Sequence, residues 1–202
     1  MTVFKAIVAW SRGFGIGKSG GLPWVNKADL SRFARLTKGQ GNNAIVMGRK
    51  TWESLPKNGL PNRHNIVLSR SAETSQSLIN TVNTSNNVTI MSNPAHCIAW
   101  CKQQRFDETW IIGGAEIYHI FARLNVLCQI EATVLNNDFD CDTYLSQSFL
   151  DMLERDMQIV QRNEFSIQCA KNEEELSGAY VTYENKGLSE RVIPQYGSGF
   201  LL

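Results

Sequence analysis

Apolar positions along the chain fall into short runs parted by polar, turn-forming stretches. Val3 to Trp10, Ala44 to Gly48 (AIVMG), Asn65 to Ser69 (NIVLS), Val88 to Met91 and Thr109 to Ile112 (TWII) each read as a strand. Residues 26–37 change period. Leu30, Phe33 and Leu36 recur every third residue behind Asn26, a good N-cap, and predict an amphipathic helix with a buried stripe. Lys50 to Leu55 reads as a short helix ended by Pro56, and Pro94 to Gln104 as a helix with Cys97 and Cys101 one turn apart. Another helix runs from Gly113-Gly114 through Phe121, after which Val126 to Thr133, 157–167 and 179–184 read as strands alone. Strand and helix alternating, then strands without helices, predict an α/β protein with a mostly parallel sheet and antiparallel edge strands.

The parts left over are informative. Residues 71–87 are rich in Ser, Asn and Thr, lack periodicity and read as a surface insertion, with glycosylation-type triplets at Asn83 and Asn87 that matter only on secretion. Residues 187–202 find no place in the sheet and read as a tail of unknown role beyond a domain spanning 1–186. The 202 residues suffice for one domain with a real core. No apolar run approaches the ~20 residues of a membrane span. The N-terminal run lacks a cleavage site, so a cytoplasmic protein is expected. Five cysteines without a CxxC pair and three dispersed histidines predict neither a disulfide framework nor a metal site.

A net charge of +1 conceals an asymmetry: residues 1–70 hold twelve Lys/Arg against two acids, Asp29 and Glu53. The bases are scattered among apolar residues without a run or stripe, which disfavours nucleic acid and favours a phosphorylated cofactor. Asp29 is the anomaly in this half. It lies four residues before Phe33, so a carboxylate shares a face with apolar side chains, at a cost of several kcal/mol unless paired. As the third helical residue after Asn26 it would equally serve the helix dipole, for about 0.3–1 kcal/mol. The spacing leaves both roles open.

The preceding stretch, GIGKSGGLPW (15–24), holds two near-motifs. Gly15-x-Gly17-x-x-Gly20 matches a dinucleotide fingerprint, but Leu22-Pro23 prevents the helix that fingerprint needs. Gly17-Lys18-Ser19 resembles the end of a phosphate-binding P-loop whose first glycine would fall on Arg12. What remains is a glycine-rich loop suited to mobility over a ligand. MGRKTWESLP (47–56) and NIVLSR (65–70) place bases and hydroxyls just past strand carboxyl ends, where open α/β sheets bind ligands. Arg49, Lys50 and Thr51 open a helix and converge on a spot suited to phosphate, a theme that Ser69-Arg70 repeats. In TWIIGGAEIY (109–118) adjacent glycines let the backbone approach a ligand closely.

Seven segments in order carry a resemblance: IVA in the first strand, GIGKSGGLPW, the acid four before Phe33, MGRKTWES, NRHNIVLSR, WIIGGAEIY and DFDCDTYL. Over residues 3 to about 185 the chain resembles the dihydrofolate reductase family. The resemblance implies a central, mostly parallel eight-stranded sheet with an antiparallel C-terminal edge and helices on both faces. It also implies hydride transfer from NADPH to dihydrofolate, giving tetrahydrofolate.

By the same resemblance Asp29 is the acid of the substrate pocket, hydrogen-bonded to the pteridine and favouring protonation of its imine nitrogen through a water near Leu22 and Trp24. Leu30, Phe33 and Leu55 match the walls around the substrate rings, and Arg63 the partner of the glutamate tail. Ile7, Val8, Ala9, Ile112 and Tyr118 match the floor shared by substrate and nicotinamide, with Thr133 behind the acid. Ile16, Gly20, Gly48, Arg49, Lys50, Thr51, Leu68, Ser69 and Arg70, with Gly113, Gly114, Ala115, Glu116 and Ile117, match the cofactor side. The Gly113-Gly114 bond is expected to be cis. Antifolates such as methotrexate or trimethoprim are expected ligands, and a monomer is the expected form.

Some positions depart from the family. Asp29 stands where many eukaryotic members carry glutamate, Gly20-Gly21 implies looser loop closure, and Glu116 stands where some members carry a base. Two rivals are a reductase of a pyrimidine ribosyl-phosphate on the same fold and a catalytically silent folate binder. The first would need neither Asp29 nor Arg63, and loss of NADPH absorbance on adding dihydrofolate separates both.

Overall fold

The computed structural model describes residues 2–56, 59–70, 87–168 and 175–188. Its strands are β1 (Val3–Trp10), β2 (Gly15–Gly17), β3 (Ala44–Gly48), β4 (His64–Leu68), β5 (Val88–Met91), β6 (Glu108–Gly113), β7 (Gln129–Leu135), β8 (Thr143–Tyr144), β9 (Met157–Gln168) and β10 (Glu175–Asn185). Its helices, numbered in chain order, are α1 (Lys27–Lys38), α2 (Arg49–Ser54), α3 (Pro94–Gln103), α4 (Ala115–Arg123) and α5 (Gln147–Asp156). Eight strands form one sheet in the order β5-β4-β3-β6-β1-β7-β10-β9, parallel from β5 to β7 and antiparallel where β10 joins β7 and β9.

Side-chain alternation in the central strands builds a core on each face. In β1, Phe4, Ala6, Val8 and Trp10 join the larger cluster with Ile117, Phe121, Phe149 and Met152 from α4 and α5. Ile7 faces the other way, toward Ile45, Met47, Trp52, Val67 and Trp110, with Phe33 and Leu36 of α1 packed against them. Because the central strands are buried on both faces, they read as continuous apolar runs.

Four expectations are corrected. The C-terminal part is not strands alone, because α5 intervenes: Ser146 caps it by accepting from the Phe149 amide, and Phe149 and Met152 are buried. The strand expected at Val126 to Thr133 is β7, two to three residues later, because the exit from α4 extends through Asn125 at a positive φ. Leu30 does not join a buried stripe. It is 55% exposed, and the buried residue of α1 is Thr37. The glycine-rich stretch is not loop throughout, since β2 pairs antiparallel with β8. A Cβ built on Gly15 would lie 2.4 Å from Cys141 Sγ, a close approach that requires glycine there. The insertion at 71–86, with Asn83, and the tail beyond Leu188 lie outside the described residues.

Candidate active site

Asp29 both sits in the opening turn of helix α1 and faces the sheet. Asn26 Oδ1 accepts from the Asp29 amide at 3.0 Å, so the first turn of α1 is capped and Asp29 is its third residue. Its carboxylate turns to the sheet, where Thr133 of β7 donates its hydroxyl to Oδ1. Burial raises the Asp29 carboxyl above its ordinary 3.8, with the Thr133 bond and the Arg32 charge opposing the rise. A largely desolvated carboxylate held by one hydroxyl retains acceptor capacity for an incoming donor.

Around Asp29 opens a cavity of about 1240 Å³, beyond the roughly 300–1,000 Å³ of an ordinary single-ligand pocket. Its floor is Ile7, Val8 and Ala9 of β1 with Ile112 of β6 and Tyr118 of α4. Tyr118 is immobilised by donating to the Ile7 carbonyl at 2.7 Å, and burial together with the Asp29 charge raises its phenol above the ordinary 10. Leu30, Phe33 and Leu55 line one side, and Leu22 and Trp24 roof the acid's end. The buried Trp24 indole N–H and Asn26 Nδ2 have no acceptor among the described residues. These donors face the demand that buried polar atoms be satisfied.

The far end is basic and polar, and it lies past the carboxyl ends of parallel strands as the switch-point rule requires. Gly48 ends β3, with Arg49, Lys50 and Thr51 after it, and Leu68 ends β4, with Ser69 and Arg70 after it. Gly114, Ala115, Glu116 and Ile117 follow β6, and Ile16 and Gly20 of the glycine-rich stretch complete the lining. Arg49 pairs with Glu53 at 2.7 Å, and the 85%-exposed Arg70 with Glu116 at 3.4 Å. The Gly113-Gly114 bond is cis, as expected.

Two expected residues do not line this cavity. Gly113 sits behind Gly114, and Arg63 is buried beside α1, donating to Thr37 Oγ1 at 2.6 Å and to the Pro61 carbonyl at 3.1 Å. Conversely, Val25, Ser54, Ser92, Pro94, Ile120 and Thr143 line it without having been singled out. Ser92 and Pro94 follow β5, so the strand-end rule applied once more would have found them.

The glycine-rich stretch is latched to the segment before β8. Asp142 Oδ2 accepts from the Ser19 amide at 2.7 Å, Thr143 donates to Asp142 Oδ1 at 2.8 Å, and Lys18 pairs with Asp140 at 2.8 Å. The amide and the hydroxyl hold the Asp142 carboxyl below its ordinary 3.8. Asp142→Ala is therefore expected to lower turnover several-fold while the melting temperature stays within one or two degrees of the parent. Unaltered turnover would show that this latch does not position the roof.

The family pattern of dihydrofolate reductase matches residues 3–184. The chain belongs to the dihydrofolate reductase family. Dihydrofolate reductase of Schistosoma mansoni is 34% identical over 158 residues, covering 75% of this chain and 82% of that one. The bifunctional dihydrofolate reductase-thymidylate synthase of Zea mays is 29% identical over 152 residues, 70% of this chain but 28% of that longer protein. In fold the chain is similar to a dihydrofolate reductase from Enterococcus faecalis solved in complex with NADP(H) and RAB-propyl. The TM-score is 0.71 at 23% identity, over 91% of this chain and 96% of that one. Among the described residues no group of acids, cysteines and histidines is arranged to hold a metal ion, and no helix is long and apolar enough to cross a membrane.

Proposed function

We propose that this chain reduces 7,8-dihydrofolate to 5,6,7,8-tetrahydrofolate with NADPH, using Asp29 as the acid that binds and activates the pterin. The observation that carries the reading is the Asp29 carboxylate, largely desolvated, in the apolar end of a cavity whose other end carries Arg49, Lys50 and Arg70. One end suits a flat heterocycle bearing an amino group beside a ring N–H, for which the carboxylate offers two acceptor oxygens. The other end, with Arg49, Lys50, Thr51, Ser69 and Arg70, suits the phosphates of a dinucleotide. The donor set thus fits NADPH, which when bound supplies the hydride.

The remaining chemistry falls to the chain. The Asp29 carboxylate orients the pterin by accepting from its amino group and ring nitrogen. Its negative charge favours a proton on the neighbouring imine nitrogen, which makes the adjacent carbon more electrophilic. Leu22 and Trp24 cover that end and limit water, with the indole N–H free to hold one. Leu30, Phe33 and Leu55 grip the rings, while Ile7, Ile112 and Tyr118 keep the two reactants face to face. Arg63 keeps its Nη1 on Thr37 and its Nε on the Pro61 carbonyl, and would offer its remaining Nη2 to the carboxylate of the substrate's glutamate tail. The domain is read as residues 1–186, a reading that the family match over residues 3–184 supports.

The direct test is loss of NADPH absorbance on adding dihydrofolate, with tight binding of methotrexate alongside. Methotrexate binding without turnover would make the chain a silent binder. Arg70→Ala is expected to weaken NADPH by roughly tenfold or more, as befits loss of a hydrogen bond to a charged group. NADH, which lacks the extra phosphate, should hardly respond. Equal losses for both cofactors would place Arg70 elsewhere.

A further inference from the structure

Behind Asp29, away from the cavity, lies an ion pair that the reaction as described does not use. Arg32 is one helical turn on from Asp29, and the two face β7 together: Asp29 meets Thr133, and Arg32 meets Glu131 two residues earlier on the same face of that strand. The pair is deeply buried, with side-chain exposures of 12% and 9%. Tyr180 of β10 lies beneath the guanidinium, 4.9 Å from ring centroid to Cζ. Glu131 also accepts from Gln129 Nε2 at 2.6 Å and from the Thr182 hydroxyl at 3.1 Å. Arg32 Nη1 is buried without an acceptor among the described residues, so its own partner leaves one donor of the cation unsatisfied. Replacing such a pair with apolar side chains is often neutral for stability, so folding alone does not call for it beside Asp29.

We propose that Arg32 is a positioning residue for the reduction, clamped by Glu131 and Tyr180 one turn behind Asp29, and that this clamp sets the pH range in which Asp29 supports hydride transfer. The proposal rests on Asp29 being the pocket acid. The titratable or charged groups facing Asp29 are Arg32 on its own helix, Tyr180 on β10 and Tyr118 on α4, with Glu131 on β7 behind the guanidinium. Both phenols are raised above their ordinary range by burial and stay neutral, which leaves Arg32 and Glu131 as the charges that matter. The guanidinium opposes the upward push that burial exerts on the Asp29 carboxyl. Glu131 does the reverse by occupying the guanidinium, so that its removal leaves the full cation to Asp29. The clamp also fixes α1 on the sheet, so Arg32 aims the carboxylate as well as tuning it.

The test is the pH profile of single-turnover hydride transfer, read by NADPH absorbance with dihydrofolate, in Arg32→Met and Glu131→Gln. The apparent pKa should rise in Arg32→Met, by about one unit as for the loss of a nearby opposite charge. It should fall in Glu131→Gln, and Arg32→Lys should restore it toward the parent. A merely structural pair would lower the rate in both variants without opposite displacements. Should Arg32→Met fail to fold, Glu131→Gln and Arg32→Lys still carry the sign of the effect. Unmoved profiles, or shifts in one direction, overturn the proposal. Asp29→Asn separates the two levels: if it retains the parent's pH dependence, the reading of Asp29 itself fails. If it abolishes that dependence while Arg32 and Glu131 variants leave it unmoved, only the clamp fails.

Discussion

Asp29→Asn is expected to reduce hydride transfer near neutral pH by about 10²- to 10⁴-fold, the range for losing a positioned acid–base group, while making the folded chain more stable. The activity falls because the amide removes the charge that favours a protonated imine and one of the two acceptor oxygens. The stability rises for the same reason that the site works. In the folded chain the carboxyl sits above its ordinary 3.8 because it is buried, whereas in the unfolded chain it titrates at its ordinary value. Between those two values the folded chain holds a proton that the unfolded chain has lost, so stability declines as pH rises through that window. Above the folded value the penalty remains in full. Asparagine has no proton to lose and can still accept from Thr133. The melting temperature of Asp29→Asn should therefore match the parent at acid pH, where both states hold the proton, exceed it increasingly as pH passes from the unfolded to the folded value, and keep a constant lead above that. A variant less stable than the parent at neutral pH would mean that the carboxylate is paired more strongly than its surroundings allow.

Gly113→Ala is expected to be the most damaging substitution at the cofactor end. Gly113 has φ +101, in the region that favours glycine, and a Cβ there would meet the Tyr118 ring at 2.8–3.1 Å. Tyr118 cannot retreat easily, because it is buried and its hydroxyl holds the Ile7 carbonyl. Backbone strain alone contributes about 1–3 kcal/mol, and each kcal/mol lowers the melting temperature of a chain this size by roughly 2–4 °C. Displacing Tyr118 and Ile7 also deforms the floor of the cavity, so NADPH affinity and turnover should fall along with stability. A variant that melts and binds NADPH like the parent would show that the ring has room to move.

The sheet was legible because its central strands are apolar on both faces and its helices begin at good caps, as at Asn26 and Asn93. The strand-end rule located the cationic end of the cavity for the same reason: it depends on topology, not on side-chain detail. Helix α5 escaped notice although Ser146 and the spacing of Phe149 and Met152 announce it, since the strand that follows begins without a break. The β2–β8 pairing was hidden because it joins residues more than a hundred positions apart and spans three residues against two. Leu30 was misplaced by a periodicity that marks an apolar face without saying whether that face meets the core or a cavity. Arg32 and Glu131 were invisible for a related reason: a helix and a distant strand find each other only once the sheet is assembled.

The central claim is that Asp29 anchors the pterin, and the measurement closest to it is a crystal structure of the chain with methotrexate and NADPH. The account predicts that the drug's diaminopteridine ring donates two hydrogen bonds to the Asp29 carboxylate, with the nicotinamide stacked over Ile7 and Ile112 and the phosphates beside Arg49 and Arg70. A drug ring bound away from Asp29, or an Asp29 carboxylate turned out to solvent in the complex, would contradict it.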